Sequence, residues 1–190
     1  MIEKVADNKT FKNIDLSKEQ FVNGEFDSCI FEKCSFSETN FASTVFLDCE
    51  FVDCNLSNVN LEKVSFQHTY FKRCKLLGLV FSDCNQFLIS MKFEDCVLSF
   101  SSFYKLKIKG TKFTNCNLQE VDFVETDLSN AIFENCDFKR AVFERTNLQK
   151  ADFKTSFNYS LDPEINNIKK AEFSMNSVVG LLDKYDIVIE

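Results

Sequence analysis

An aromatic residue recurs at every fifth position from Phe21 to Phe51, in the stretch FVNGEFDSCIFEKCSFSETNFASTVFLDCEF. A five-residue period fits neither an α-helix, with 3.6 residues per turn, nor a flat strand, whose side chains alternate with a period of two. A solenoid places all of these side chains in one core, because each repeat adds one side to a coil. We therefore interpret the rest of the chain as more of this repeat or as a cover for its ends.

The same phase continues in both directions, with Phe, Leu or Ile at each centre. It runs from Phe11 to Phe81, slips by two residues and runs again from Phe93 to Phe153. A small or β-branched residue lies two positions before most centres, and all nine cysteines take this position. The other three positions are mostly polar, so two positions of every five face inward and three face water. With only 4 Gly and 1 Pro, the repeat itself must form the corners.

Length, composition and net charge indicate the compartment and the kinds of ligand to expect for this chain. A length of 190 residues suggests one domain. The start MIEKVADNK has no apolar core for a signal peptide and no run of about 20 apolar residues follows, so we expect a cytoplasmic protein that does not contact membranes. An odd number of cysteines in that compartment indicates free thiols. The net charge of -7 disfavours nucleic acid as a direct ligand.

The sequence offers no convincing catalytic or metal site. Cysteines spaced by four residues, as in FDSCIFEKC, are what consecutive repeats produce, and their thiols should point into the core. His68, the only histidine, falls on an outward position. The motifs GxxxxGK[ST], GxGxxG and HExxH are absent. We therefore predict no enzymatic activity, no catalytic or metal-binding residues and no cofactor.

Motifs such as CNLSNVNLEKVSF and ADFKTSF resemble those of pentapeptide-repeat proteins. The resemblance implies an all-β fold, a right-handed quadrilateral β-helix in which four repeats form one coil of about 20 residues. It divides the chain into an N-terminal lead-in (1–8), a β-helix of about seven coils (9–157) and a C-terminal capping and dimerisation element (158–190). Residues one coil apart then stack, which predicts an inward ladder of Cys34, Cys54, Cys74, Cys96, Cys116 and Cys136.

The segment 82–92, SDCNQFLISMK, is the one break within the repeat region. Two interpretations remain open. In the first the break is a bulge, with Leu88 filling the core position and Phe87 or Ile89 partly exposed. In the second Phe87, Leu88 and Ile89 project from the rod as a contact for a partner.

The pattern fails after Phe153 and resumes once at Phe173. Ser174 or Asn176 is then placed to begin a short helix. Residues 186–190 predict a last strand, with Ile187 and Ile189 on one face. Because the end of a solenoid exposes unpaired backbone and apolar core, such an element must cover it or join it to another copy.

The layout with a mid-rod break and the ending LDPEINNIKKAEFSMNSVVGLLDKYDIVI resembles the quinolone-resistance (Qnr-type) and self-immunity branch of the family, which acts on DNA gyrase. The resemblance implies that an acidic dimer, as a DNA mimic, occupies the DNA-binding saddle of gyrase or topoisomerase IV and protects the enzyme from quinolones or a peptide toxin. It also implies a homodimer joined end to end through Val178, Val179, Leu181, Leu182, Ile187 and Ile189.

Charge limits any imitation of DNA to a local patch. Duplex DNA carries roughly 20 charges over a rod of about 34 Å. Residues 1–81 hold 12 acids and 9 bases, a net charge of -3, and residues 82–157 hold 11 and 10, a net charge of -1. The candidate patch, on two neighbouring faces, is Glu25, Asp27, Asp48, Glu50 and Asp53. Two functions therefore stand: a partial DNA mimic that binds a type II topoisomerase, or a generic interaction scaffold for another protein.

Overall fold

The computed structural model describes residues 4–17, 21 and 23–189 as a stack of coils built from short parallel strands. Each strand has three or four residues, and the repeat centre within it points inward. The strands are β1 (Val5–Asp7), β2 (Thr10–Lys12), β3 (Glu25–Asp27), β4 (Ile30–Glu32), β5 (Val45–Leu47), β6 (Glu50–Val52), β7 (Ser65–Gln67), β8 (Thr69–Lys72), β9 (Met91–Glu94), β10 (Lys112–Thr114) and β11 (Ile132–Glu134).

The paired residues form four columns, which define four faces of the rod. Face 1 contains β1, β3, β5 and β7, and bridges from Lys107 to Asn167 continue it. Face 2 contains β2, β4, β6, β8, β9, β10 and β11, in that order. Single bridges form face 3, from Asp15 to Phe157, and face 4, from Asn40 to Val142. The chain therefore folds as the predicted all-β, four-sided β-helix.

The register stacks many of the Phe rings on the Phe ring of the next coil. Partners lie 20 residues apart, as for Phe31 and Phe51, whose ring centroids are 4.8 Å apart at an interplanar angle of 12°. Across the break the spacing becomes 22 residues, and the rings of Phe71 and Phe93 still stack at 5.3 Å. Burial of each ring contributes roughly 2 to 3 kcal/mol. The stacked columns explain why Phe dominates the aromatic residues of this chain.

The corners between faces are made by residues in the left-handed conformation. They fall two positions after the repeat centre, as at Asp48 (φ 50°) and Asn58 (φ 56°). Asn and Asp tolerate this conformation better than most residues and occupy 11 of the 27 non-glycine positions that adopt it in the described part of the chain. Lys, Glu, Arg and Ser occupy most of the others, so the repeat imposes the turn on many residue types. Gly78 and Gly110 take two of these corners, with φ values of 65° and 68°.

The regular strands make about six turns, because the seven strands of face 2 span six intervals. This is one fewer than the seven coils predicted. The reason is that the upper coils are held by single bridges, such as Ile132 to Asp152 and Asp152 to Glu172, rather than by strands. At the other end the stack includes β1, within the segment assigned as the lead-in, because β1 pairs with β3.

The two additional residues of the break form an outward turn on face 1. Leu88 is exposed with φ 57°, so the prediction that it fills the core position is wrong. Ile89 packs against the core instead, and Met91 is buried as β9 begins. Ser90 resumes pairing with the coil below, because its N–H donates to the carbonyl of Phe66 at 2.9 Å. Leu88 can therefore leave the core without interrupting the stack of coils.

The C-terminal segment covers the end of the rod, and its described residues, 158–189, form no strand. Phe173 forms the predicted additional repeat and stacks on Phe153 with a centroid distance of 5.4 Å. Two 3₁₀ helices follow, Val178–Leu181 and Asp183–Tyr185, where a short helix was expected. The predicted strand over 186–190 is wrong for residues 186–189, which have no pairing partner within the described part of the chain, and residue 190 lies outside the described residues.

All nine cysteines are buried, unpaired thiols, and the predicted ladder is present. The Cys34 N–H donates to the Cys54 sulfur at 3.4 Å, and the Cys54 thiol donates to the carbonyl of Phe31 at 3.2 Å. Burial raises the pKa of Cys49 to about 12, so this thiol stays protonated at neutral pH and is a poor nucleophile. The described part of the chain contains no helix that is long and apolar enough to span a bilayer.

Candidate partner-binding surface

The five acidic residues of the candidate patch lie on faces 1 and 2 of neighbouring coils near the N-terminal end. Glu25 and Asp27 are the two outer residues of β3, and Glu50 is the first residue of β6. Asp48 and Asp53 form the left-handed corners before and after β6. All five take polar positions of their repeats, and their side chains therefore point outward.

Two of these acids have a partner one coil away. The Arg73 guanidinium donates to both carboxylate oxygens of Asp53, at 2.6 and 2.9 Å, and holds the pKa of that carboxyl below its usual range. The Nδ1 atom of His68 lies 3.2 Å from a carboxylate oxygen of Asp48, on the exposed surface where the sequence placed this histidine. Asp53 therefore offers a partner little free charge.

The other three acids remain free of ion pairs within the described part of the chain. Asp27 accepts a hydrogen bond from the Ser28 hydroxyl at 2.9 Å, which leaves its negative charge uncompensated. Glu25 and Glu50 form no ion pair with a described residue. The effective acidic patch is therefore Glu25, Asp27 and Glu50, with Asp48 at the corner between them.

The outward turn of the break presents two apolar side chains to solvent. Phe87 is 70% exposed and Leu88 62% exposed. The Asn85 side-chain oxygen accepts the Phe87 N–H at 3.0 Å and shapes the turn. The turn projects from face 1, three coils above Glu25 and Asp27, or about 14 Å along the rod. Of the predicted contact residues, Phe87 and Leu88 are available to a partner, whereas Ile89 is mainly an anchor.

Sequence reasoning missed two further exposed aromatic residues on the same coil as this turn. Phe100 is 63% exposed at the corner between faces 3 and 4, and Tyr104 lies near the next corner under the ammonium of Lys105. Among the described residues other than glycine, Leu88 and Phe100 are the only apolar ones in the left-handed conformation. The signal was readable, because the repeat phase gives Phe100 a position that is normally polar.

The predicted dimerisation residues divide into anchors and exposed side chains. Val178 and Leu181 are half-buried, and Leu181 packs against the core. The exposed members, Val179, Leu182, Ile187 and Ile189, line a shallow cavity of about 400 Å³ together with Asp183 and Asp186. Val188, at 89% exposure, belongs to the same apolar tail and was not predicted.

A network of polar contacts fixes this C-terminal cap on the rod. The Lys184 ammonium lies 2.7 Å from carboxylate oxygens of both Asp162 and Glu164. The Leu161 N–H donates to the carbonyl of Gly180 at 2.9 Å. A Cβ atom at Gly180 would lie only 2.0 Å from the Tyr159 carbonyl oxygen, so this close approach requires glycine. The cap therefore presents its apolar tail from a fixed base.

No group of His, Cys, Asp or Glu within residues 4–17, 21 and 23–189 is arranged to hold a metal ion. Eight of the nine buried thiols donate to carbonyl oxygens at 3.2 to 3.5 Å. His68 contacts only Asp48 among the described titratable groups around it. The outer surface of the rod presents charged and apolar side chains to solvent.

Comparison with known families and structures agrees with this fold. The family described as pentapeptide repeat region matches residues 24–86, 44–123 and 87–160. No curated protein sequence matches the chain.

Three solved structures illustrate the likeness. A trypsin-treated variant of QnrB1, described as a plasmid-mediated fluoroquinolone resistance protein, is 19% identical, with 100% of this chain and 95% of that chain covered and a TM-score of 0.64. Full-length QnrB1 is 16% identical, covers 96% and 100%, and has a TM-score of 0.49. HetL, from the cyanobacterium Nostoc, is 13% identical, covers 89% and 87%, and has a TM-score of 0.38. At 19% identity, the likeness to the trypsin-treated QnrB1 variant shows the fold alone.

Proposed function

Because this chain belongs to the pentapeptide-repeat family, we propose that it is a cytoplasmic, non-enzymatic rod that binds a type II topoisomerase, DNA gyrase or topoisomerase IV. It then shields that enzyme from quinolones or a peptide toxin. QnrB1, whose fold this chain shares, is described as a fluoroquinolone resistance protein, and this supports the choice of target.

One observation carries the proposal: face 1 holds unpaired acids and an apolar turn on the same side of the rod. Glu25 and Asp27 lie on β3, and Phe87 and Leu88 project from that face about 14 Å further along. A partner that binds both needs a basic groove beside an apolar pocket. A DNA-binding saddle supplies the basic groove, because it is built to neutralise phosphates.

The C-terminal segment 158–190 serves in this proposal as a cap and a dimer contact. The exposed tail residues Ile187, Val188 and Ile189 extend beyond the fixed base formed around Lys184. A contiguous exposed apolar patch at the end of a solenoid is typical of an interface. Two copies joined through these tails form one longer rod with a face 1 in each half.

The test is binding of the purified full chain to gyrase with and without competing duplex DNA, at two salt concentrations. We expect competition with DNA and weaker binding at high salt. The same protein should restore supercoiling by gyrase in the presence of ciprofloxacin or a peptide toxin.

Matched variants separate the two contacts on face 1. Glu25→Lys combined with Asp27→Lys should weaken binding mainly at low salt, whereas Phe87→Ser combined with Leu88→Ser should weaken it equally at both salt concentrations. Lys75→Glu, on the opposite face 3, is the control. If gyrase does not bind but another protein is captured, the chain is an interaction scaffold for that partner and the topoisomerase proposal fails.

A further inference from the structure

The charges on face 1 change sign at the outward turn. Below the turn, the outward positions of β3 and β5 and the corner after them carry Glu25, Asp27 and Asp48, with no lysine or arginine. Above it, the outward positions carry five lysines against one acid, Asp127. The lysines are Lys107, Lys109, Lys150, Lys169 and Lys170. One face of the rod is therefore acidic at one end and basic at the other.

The basic half has charge left over after its internal ion pairs. Lys109 lies 3.3 Å from Asp127, and this pair neutralises both groups. Lys150, Lys169 and Lys170 form no ion pair with a described residue, and Lys150 and Lys170 take the same left-handed corner one coil apart. These side chains are exposed and positioned by consecutive coils.

The turn lies midway along the face. Four levels of face 1 lie below it, at β1, β3, β5 and β7, and four lie above it, at the bridged residues Lys107, Asp127, Asn147 and Asn167. The level of Glu25 and Asp27 is three steps below the turn, and the level that ends in Lys150 is three steps above it. A reversal of direction about the turn therefore brings Glu25 and Asp27 opposite Lys150, and Asp7 opposite Lys169 and Lys170. Asp48 comes opposite Asp127, whose charge Lys109 already neutralises.

We propose that, while no topoisomerase occupies face 1, a second copy of this chain packs antiparallel across it, around a two-fold axis that passes through the turn formed by Phe87 and Leu88. The axis brings the acidic half of each copy onto the basic half of the other. It also places the two exposed apolar turns against each other, which removes both from water. An isologous contact of this kind closes after two copies.

The size of the face predicts a weak, salt-sensitive association. Eight steps of about 4.8 Å and a width of about 10 Å give roughly 400 Å² for each copy, half of a standard interface of roughly 800 Å². Exposed ion pairs contribute little each and are screened at moderate salt. We expect association at tens of micromolar protein or above in 50 mM salt, and a loss of about tenfold or more in 500 mM salt.

Sedimentation of charge-reversal variants tests the pairing. Glu25→Lys with Asp27→Lys, and separately Lys150→Glu, should each abolish lateral association, because the two-fold axis places Glu25 and Asp27 opposite Lys150. An equimolar mixture of the two variants should restore it as a heterodimer. The lysines introduced at positions 25 and 27 of one copy then face the glutamate introduced at position 150 of the other, while Lys150 of the first copy faces Glu25 and Asp27 of the second. The matched control is Lys33→Glu with Lys75→Glu, off face 1, which should associate like the original chain. Variants that associate undiminished, or a mixture that stays monomeric, would overturn the proposal.

Crosslinking locates the axis. Gln86→Cys places one accessible thiol beside the turn, since the native cysteines are buried, and a short bismaleimide should link two copies there. Lys75→Cys, on face 3, should not crosslink. Equal crosslinking at both sites would refute the geometry. A dimer that survives charge reversal but is lost in Val188→Asp would also overturn this inference, while supporting the separate end-to-end contact. A failure to bind gyrase leaves the self-association result unaffected.

Discussion

Phe100 occupies a corner that should prefer a polar residue, and replacing it should stabilise the rod. Its φ of 64° lies in the left-handed region, where a bulky side chain is strained and Asn is tolerated. Its side chain is 63% exposed, so little burial offsets this strain. We therefore expect Phe100→Asn to raise the free energy of unfolding by about 1 kcal/mol.

The reverse substitution provides a matched control. Glu120 takes the same corner one coil above Phe100, with φ 56°, and its contact with Arg140 is an exposed pair at 3.7 Å that contributes little. Glu120→Phe should therefore lower stability by a similar amount. For a chain of this length, about 1 kcal/mol corresponds to a shift of roughly 2 to 4 °C in melting temperature.

The assay is urea unfolding followed by circular dichroism for the original chain and both variants. A higher midpoint for Phe100→Asn and a lower one for Glu120→Phe, with unchanged slopes, is the expected result. If Phe100→Asn is less stable than the original chain, the ring makes stabilising contacts that outweigh its backbone strain, and the argument from corner conformation is refuted.

Three further predictions concern the cap and the core. Lys184 lowers the pKa of Asp162 and of Glu164, so these contacts stabilise the cap above the ordinary carboxyl pKa and lose that effect as pH falls through the lowered pKa values. Hydrogen exchange at the cap should therefore accelerate in acid, and Lys184→Met should show fast exchange at neutral pH as well. Gly180→Ala should release the cap, because its Cβ atom would collide with the Tyr159 carbonyl, and a cap that exchanges as slowly as before would contradict this. A thiol reagent should find nine free thiols after unfolding without reductant and almost none in the folded protein; fewer than nine would indicate a disulfide.

The five-residue period predicted which side chains form the core, because a solenoid places all of the repeat centres inward whereas an α-helix or a flat strand does not. Once Phe31 and Phe51 occupy equivalent positions, neither can leave the core without disturbing the coils above and below it. The same spacing contained a signal that was not used. Residues 20 apart stack, so the pairing of Asp53 with Arg73 was readable from the sequence, and it reduces the acidic patch.

The wrong predictions concern segments in which the five-residue repeat is interrupted, because there the repeat no longer determines which side chains point inward. Two additional residues in the break can be accommodated by several turns, and only the structure shows that Ile89 packs inward while Leu88 leaves the core. At the C-terminus, Ile187 and Ile189 alternate as in a strand, yet a strand requires a neighbour to pair with. Local pattern alone cannot supply that neighbour, and the described tail has none among the described residues of its own chain.

The constant register of the coils also means that the length of the rod depends only on the number of coils. Each coil bonds only to the coils next to it, and equivalent residues recur after 20 positions, as in the bridged series Lys107, Asp127, Asn147 and Asn167. Duplicating one whole coil would therefore lengthen the rod by about 4.8 Å and leave the chemistry of every corner unchanged. The distance between the outward turn and the C-terminal tail thus changes by one coil height at a time. A partner that contacts both the turn and the tail would therefore bind only rods with one particular number of coils between them.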